Sequence, residues 1–338
     1  MTLINRGRTP GPTGLLGDIE DDIFAVQPGL RPRRPGPVGM GPQGTLYYGA
    51  YADSNGGAGG NKSSQPTLPT VKIVEPEPTH SEYVLRPENT PLFNGTPKPD
   101  EVIQGELAVC PLAAVLVAVA HANPQLLQTM VSKPTPATVV STLASDAKFR
   151  LVSNAVMTVQ FRNVKPIEIS TLLYYESLGD EDQAVWQIPY AFSDKGVSWV
   201  SFIEKAYAVL RGKNSYATLN VNRQLVANDV MRDVVGPFIF VDLSRDRIFT
   251  PTGKDNKEEE LSDKRLEILL KAAKQHPTVA ASRDKVASST TVANHGYGVL
   301  GFDGKKVYLR NPHGGTDANV SLSLAELKKN FEAVLQAT

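Results

Sequence analysis

Residues 111–123, Pro-Leu-Ala-Ala-Val-Leu-Val-Ala-Val-Ala-His-Ala-Asn, limit the fold more than any other stretch. Leu112, Val115, Leu116, Val119 and Ala120 recur at helical spacing, and the positions between them are also apolar. A helix that is apolar on every side has to be enclosed by protein, so the chain must build a core deep enough to surround it. The apolar run 112–120 is too short to cross a bilayer, which excludes a membrane span there. Pro111 suits a first helical turn, where its missing N–H costs nothing. Pro124 ends or kinks the helix. The 338 residues suffice for one large domain or two modest ones that stand without covalent staples.

Cys110 is the single cysteine. A disulfide framework and a multi-thiolate metal site within one chain are thereby excluded, and a reducing compartment is expected. The N-terminus lacks the apolar stretch of a secretory signal. The expectation is a soluble, cytoplasmic protein, with delivery into a host or target cell by a signal-independent route as the alternative. The formal net charge is +0, from 35 basic and 35 acidic residues, which gives no reason to expect nucleic acid or an anionic membrane as partner. The oligomeric state stays open.

Residues 1–97 read differently from the rest. Pro-Gly clusters at 9–14 and 28–44 and a Gly-rich tract at 55–61 leave too little apolar surface to offset the entropy of ordering. A disordered tail over 1–97 and a folded unit over 98–338 are therefore expected. Within that unit, 156–170 alternates as a half-exposed strand does. A helix is expected over 199–211 with Gly212 as C-cap, and another over 261–275. A hairpin of 298–302 and 306–309 turns at Asp303-Gly304. A last helix is expected over 323–335, opened by a Ser323/Glu326 capping box. The sum is an α+β fold, read as two lobes (98–235 and 236–338) facing across a cleft.

Cys110 directly precedes Pro111 and the buried helix, so the helix dipole is expected to favour its thiolate. His295, in Asn294-His295-Gly296-Tyr297, opens one strand of the hairpin. Asn311, in Arg310-Asn311-Pro312-His313-Gly314, closes the other. The hairpin makes them neighbours, and an amide oxygen beside an imidazole sets its tautomer and orientation.

Gln104-Gly105-Glu106-Leu107-Ala108-Val109-Cys110-Pro111 resembles the Gln-Gly-x-Leu-Gly-Asp-Cys-Trp pattern of calpain-type cysteine proteases. Asn294-His295-Gly296-Tyr297-Gly298-Val299 is similar to that family's histidine motif, and Leu309-Arg310-Asn311-Pro312-His313-Gly314 to its asparagine motif. Trp199-Val200-Ser201-Phe202-Ile203-Glu204-Lys205-Ala206-Tyr207-Ala208, followed by Ser215-Tyr216, looks like the family helix between them. The four blocks stand in the family's order. The resemblance implies a papain-like two-lobed core, a helical lobe with the nucleophile and a β-rich lobe with His and Asn. It implies Cys110, His295 and Asn311 as triad and Gln104 as oxyanion-hole donor. The function implied is a thiol endopeptidase cleaving protein substrates through a thioester. A transglutaminase or deamidase on the same triad, and a catalytically degenerate binding module, are the alternatives.

Three positions depart from the family pattern. Pro111 replaces a Trp, Ala108-Val109 replaces Gly-Asp, and His313 replaces the Trp that shields the Asn–His hydrogen bond. Calcium, which the resemblance implies, finds few oxygen ligands after Asn311: Asp317 and then Glu326 are the nearest acids, and 179–182 is read as a solvated loop. Calcium independence is expected. His80, His121 and His276 show no metal-ligand spacing, and no other cofactor is expected. A tailed calpain-type core without calcium-sensing modules would suit a microbial effector.

Overall fold

The computed structural model describes residues 68–146, 148–178, 185–221, 227–252, 255–315 and 318–338. The expected tail over 1–67, the acidic run 179–182 and Asp317 lie outside the described residues. The described chain is mixed α+β.

Order begins earlier than composition implies. Strands β1 (Thr70–Val74) and β2 (Val84–Pro87) fall inside the stretch expected to be tail. Their partners are remote in sequence, which is why local composition hides them. Strand β1 runs parallel to β3 (Thr135–Thr142). Strand β2 runs antiparallel to β6 (Leu172–Leu178). The expected 156–170 strand is two, β4 (Leu151–Val159) and β5 (Ile167–Ser170), paired antiparallel. Sheets ordered β1-β3-β4-β5 and β2-β6-β7, with β7 at Val185–Gln187, give the first half more strand than a helical lobe would have.

Helix α1 (Cys110–Ala122) is the enclosed helix the sequence demands, with every residue from Cys110 through Ala120 buried. Pro124 opens a new helix, α2 (Pro124–Met130), at a bend of 116°. No single helix among the described residues is long and apolar enough to cross a membrane. Helix α3 (Trp199–Leu210) follows, then α4 (Tyr216–Val221) and α5 (Ala227–Val234). Gly212 is not the left-handed cap expected. Lys213 and Asn214 take the positive φ values, 51° and 61°. Gly212 is needed for space instead, since a Cβ there would lie 2.3 Å from the Ser215 carbonyl oxygen.

Residues 238–337 build one antiparallel sheet around which the rest is arranged. Its strands are β8 (Phe238–Asp242), β9 (Arg247–Thr252), β10 (Asp255–Glu260), β11 (Thr278–Ser282), β12 (Gly296–Phe302), β13 (Val307–Arg310), β14 (Asn319–Leu322) and β15 (Phe331–Ala337). The order is β10-β9-β8-β15-β11-β12-β13-β14. Helix α6 (Asp263–Ala272), capped by Ser262, covers one face of it. Helix α1 covers the other, where Val279, Ala281, Ala333 and Leu335 join the core around it. That core therefore crosses the expected lobe boundary near residue 235.

The expected final helix is half right. Ser323 and Glu326 form the capping box, but α7 (Leu324–Asn330) stops there and 331–337 is the strand β15. Phe331-Glu-Ala-Val-Leu-Gln-Ala is buried on both faces, so its apolar pattern does not distinguish helix from strand. The vacant edges of β8 and β11 decide, because β15 hydrogen-bonds to both.

Candidate active site

Two glycines bring helix and sheet together at the site. Along β12, Tyr297 and Val299 point into the α6 side of the core. Gly296 and Gly298 face α1. A Cβ on Gly298 would lie 2.3 Å from Val117 Cγ1, and one on Gly296 would lie 3.1 Å from the Cys110 carbonyl oxygen. Only bare backbone permits this approach. It sets His295, the residue before β12, beside the first turn of α1.

Asn294, at φ 49°, turns the chain into the site. Ser282, at the end of β11, then fixes His295: its Oγ accepts from His295 N–H at 2.9 Å, and its own N–H donates to the His295 carbonyl at 2.9 Å. The Tyr297 ring meets the imidazole edge-on at 5.1 Å. Asn311 follows β13, with its N–H on the Ala318 carbonyl at 2.7 Å. His295 Nε2 and Asn311 Oδ1 are 2.9 Å apart.

The polarity of that bond follows from a third group. The backbone N–H of His313 also reaches Asn311 Oδ1, at 2.9 Å. A backbone N–H can only donate, so the atom it meets is the amide oxygen. That oxygen accepts from His295 as well, which puts the imidazole proton on Nε2. Nδ1 is left with a lone pair, the form a general base requires. Burial, then the His313 ring, then opposed by the Asn311 bond, set the basicity of His295: the outcome is a pKa pulled down to about 3. The imidazole rests neutral.

Cys110 opens α1, as expected, but the dipole does not win. Burial pushes its thiol up to about 12, against two backbone N–H groups, those of Gly296 and of Cys110 itself, that favour the thiolate. The magnitudes explain the sign. A helix terminus contributes about 0.3–1 kcal/mol, whereas burying an ion costs several kcal/mol. Cys110 is 2% exposed. The expected thiolate is therefore a thiol in this conformation. Among the described residues it makes no hydrogen bond to the His295 ring.

Gln104 lies on the strap before α1. Its N–H donates to the Pro312 carbonyl at 2.7 Å, tying the strap to the Asn311 turn. Its Nε2 donates to the Leu107 carbonyl at 2.6 Å, while its Oε1 is buried with no hydrogen-bond partner among the described residues. Gly105 presses against the backbone of Pro189 and Tyr190, where a Cβ would lie 2.3 Å away. Arg310 Nε donates to the Pro99 carbonyl at 2.9 Å, a second tie across the same seam. Gln104, Cys110, His295 and Asn311 are all buried.

The three departures have visible consequences. Pro111 occupies the first turn of α1, fully enclosed. Val109 is the residue capping α1, and the Ala108 N–H is held by Asn220 Oδ1 at 2.8 Å. His313 covers the imidazole, its ring centroid 4.2 Å from that of His295.

Other residues the sequence did not single out matter to the scaffold. The Glu204-Lys205 pair of α3 is buried: Lys205 Nζ reaches Glu75 at 2.6 Å and the Leu172 carbonyl at 2.6 Å, while Glu204 accepts from the Ala191 N–H at 2.7 Å. No motif pointed to Glu75, Ser282 or Asn220, because each acts through a contact distant in sequence. Among the described residues no group of three or more His, Cys, Asp or Glu is disposed to hold a metal ion.

No known family model matches the chain, and no curated protein matches it either.

Proposed function

We propose that this chain is a cysteine-dependent acyl-transfer enzyme with a papain-like, calpain-type arrangement, and that its reaction is hydrolysis of peptide bonds in proteins. One observation carries the reading: the His295–Asn311 bond, its polarity fixed by the His313 N–H, leaves Nδ1 with its lone pair on a residue that stands beside the start of the Cys110 helix. A helix bearing the thiol, laid on a sheet bearing the imidazole and amide, is the juxtaposition this reading needs.

The chemistry follows from a neutral resting pair. As Cys110 Sγ attacks a carbonyl carbon, His295 Nδ1 takes the thiol proton, so charge separates only during the attack. The oxyanion meets the Cys110 N–H, which has no intrahelical partner at the first turn, and the second N–H of Gln104 Nε2. The imidazolium then protonates the leaving amine, and a thioester remains. Water, deprotonated by His295, attacks the thioester and returns the thiol. Asn311 holds the ring through both steps. Substrate entry requires the seam closed by the Gln104–Pro312 and Arg310–Pro99 bonds to part.

The test is incubation of the full chain and its Cys110→Ala variant with a protein mixture, followed by mass spectrometry. New peptide termini that depend on Cys110 are expected. Glutamine deamidation or crosslinks without new termini would reassign the same site to acyl transfer on side chains. A specific observation favours a second reading, a binding module that has lost catalysis: the thiol is enclosed, burial pushes its pKa up, and among the described residues it makes no hydrogen bond to the imidazole. Under that reading, iodoacetamide labels Cys110 only after denaturation, and neither outcome of the mixture experiment appears.

A further inference from the structure

Family resemblance assigns an aromatic shield at position 313, and the residue there is an ionisable one. The His313 ring is half-buried, whereas His295 beneath it is buried, so His313 stands between the base and solvent. Its backbone N–H fixes the Asn311 amide while its ring lies against His295 at 4.2 Å, tilted by 45°. One residue thus touches both members of the base pair, through main chain and side chain. Two imidazoles at that separation do not both carry a proton readily, because like charges so close disfavour each other.

We propose that His313 is a positioning residue that governs the protonation of His295, sheltering the base while neutral and silencing it once charged. The inference deepens the acyl-transfer reading and rests on it. Acyl transfer needs His295 to become an imidazolium transiently. With His313 neutral, the new charge meets only a polarisable ring. With His313 protonated, it meets a second positive charge, and proton uptake from Cys110 is blocked. His313, the less enclosed of the two, takes the first proton on acidification. The surrounding ionisable groups leave it that role. Cys110, at the start of α1, is a neutral thiol. Arg310, at the end of β13, is held by the Pro99 carbonyl and feels Asp100 and Asp194. Burial lowers the pKa of His313, and a charge on His313 in turn disfavours the proton on His295. The pair therefore titrates as a unit.

The experiment compares wild type, His313→Phe and His313→Gln as full chains. Phe keeps an aromatic cover without the charge, and Gln keeps a polar, uncharged group should Phe disturb packing. Imidazole nitrogen shifts, followed by NMR from pH 7.5 down to the acid unfolding edge, report the His295 tautomer and titration midpoint. The expected result is an Nε2-protonated His295 in all three proteins, with its midpoint moved up by roughly one pH unit in both variants. The Cys110-dependent rate at pH 5, relative to pH 7.5, is expected to be higher in His313→Phe than in wild type. A His295 midpoint that does not move, or that titrates in none of the three, overturns the inference. Absence of any Cys110-dependent turnover overturns the acyl-transfer reading instead, and the nitrogen shifts decide the coupling independently of it.

Discussion

Replacing His295 by Gln should change how stability responds to pH, by an amount the structure fixes. In the folded chain His295 is neutral down to about pH 3, whereas in the unfolded chain it takes a proton below about pH 6.5. Between those values the unfolded state binds the extra proton, so acidification favours unfolding. The cost is about 1.4 kcal/mol per pH unit, or about 2 kcal/mol on going from pH 6.5 to pH 5. Burial of the ring, 4% exposed, removes any need to discount it for solvent screening. The wild-type profile alone hides the effect. Glu204, enclosed with the Ala191 N–H as its partner, has its carboxyl pushed up to about 8. Its contribution has the opposite sign: it is fully present below about pH 4.3 and lost as pH rises towards 8. The two slopes oppose each other between about pH 4.5 and 6.5. The difference between wild type and His295→Gln cancels Glu204 and isolates the imidazole. Losing the Asn311 bond shifts the variant by a constant that drops out of the pH comparison. Urea unfolding followed by tryptophan fluorescence at pH 7 and pH 5 measures it. The variant should gain about 2 kcal/mol on wild type across that interval, a midpoint change of about 1 M at ordinary urea sensitivities. Parallel profiles would mean that His295 is not an enclosed neutral base.

Three further outcomes test the scaffold and the chemistry. Gly298→Ala forces a methyl into Val117, so it should cost about 1–3 kcal/mol; adding Val117→Ala should restore part of that in the same urea assay. Removing Glu75 alone, as Glu75→Gln, should cost about 3–5 kcal/mol by leaving Lys205 unpaired in the core, whereas Glu75→Leu with Lys205→Met should recover most of it in thermal melts. Gln104→Ala should lower kcat by about 10²–10³ with a much smaller change in KM, measured on a protein substrate cut in a Cys110-dependent way.

Periodicity carried what local pattern can carry. An all-apolar stretch after Cys110 had to be an enclosed helix, and Asp303-Gly304 had to turn a hairpin, so the neighbourhood of His295 and Asn311 was legible before any coordinates. The apolar run after His295 marked a strand, but not that the bare face made by Gly296 and Gly298 is where Val117 and Cys110 pack. Long-range pairing stayed out of reach: β1 and β2 looked like tail because their partners β3 and β6 lie far along the chain, and 331–335 read as helix because the two strand edges that pair with it lie elsewhere in the sequence. Electrostatics misled for a related reason. The helix start at Cys110 is visible in sequence, whereas the enclosure that overrides it depends on everything packed around it.

The most direct measurement is capture of the covalent intermediate. Turnover of a protein substrate is quenched in acid, and the mass of the peptide containing Cys110 is read. An acyl group on Cys110 in wild type, absent from His295→Gln, is the predicted result. Substrate consumed with Cys110 unmodified at every quench time, or at the same rate in Cys110→Ala, would contradict the assignment of this thiol as nucleophile.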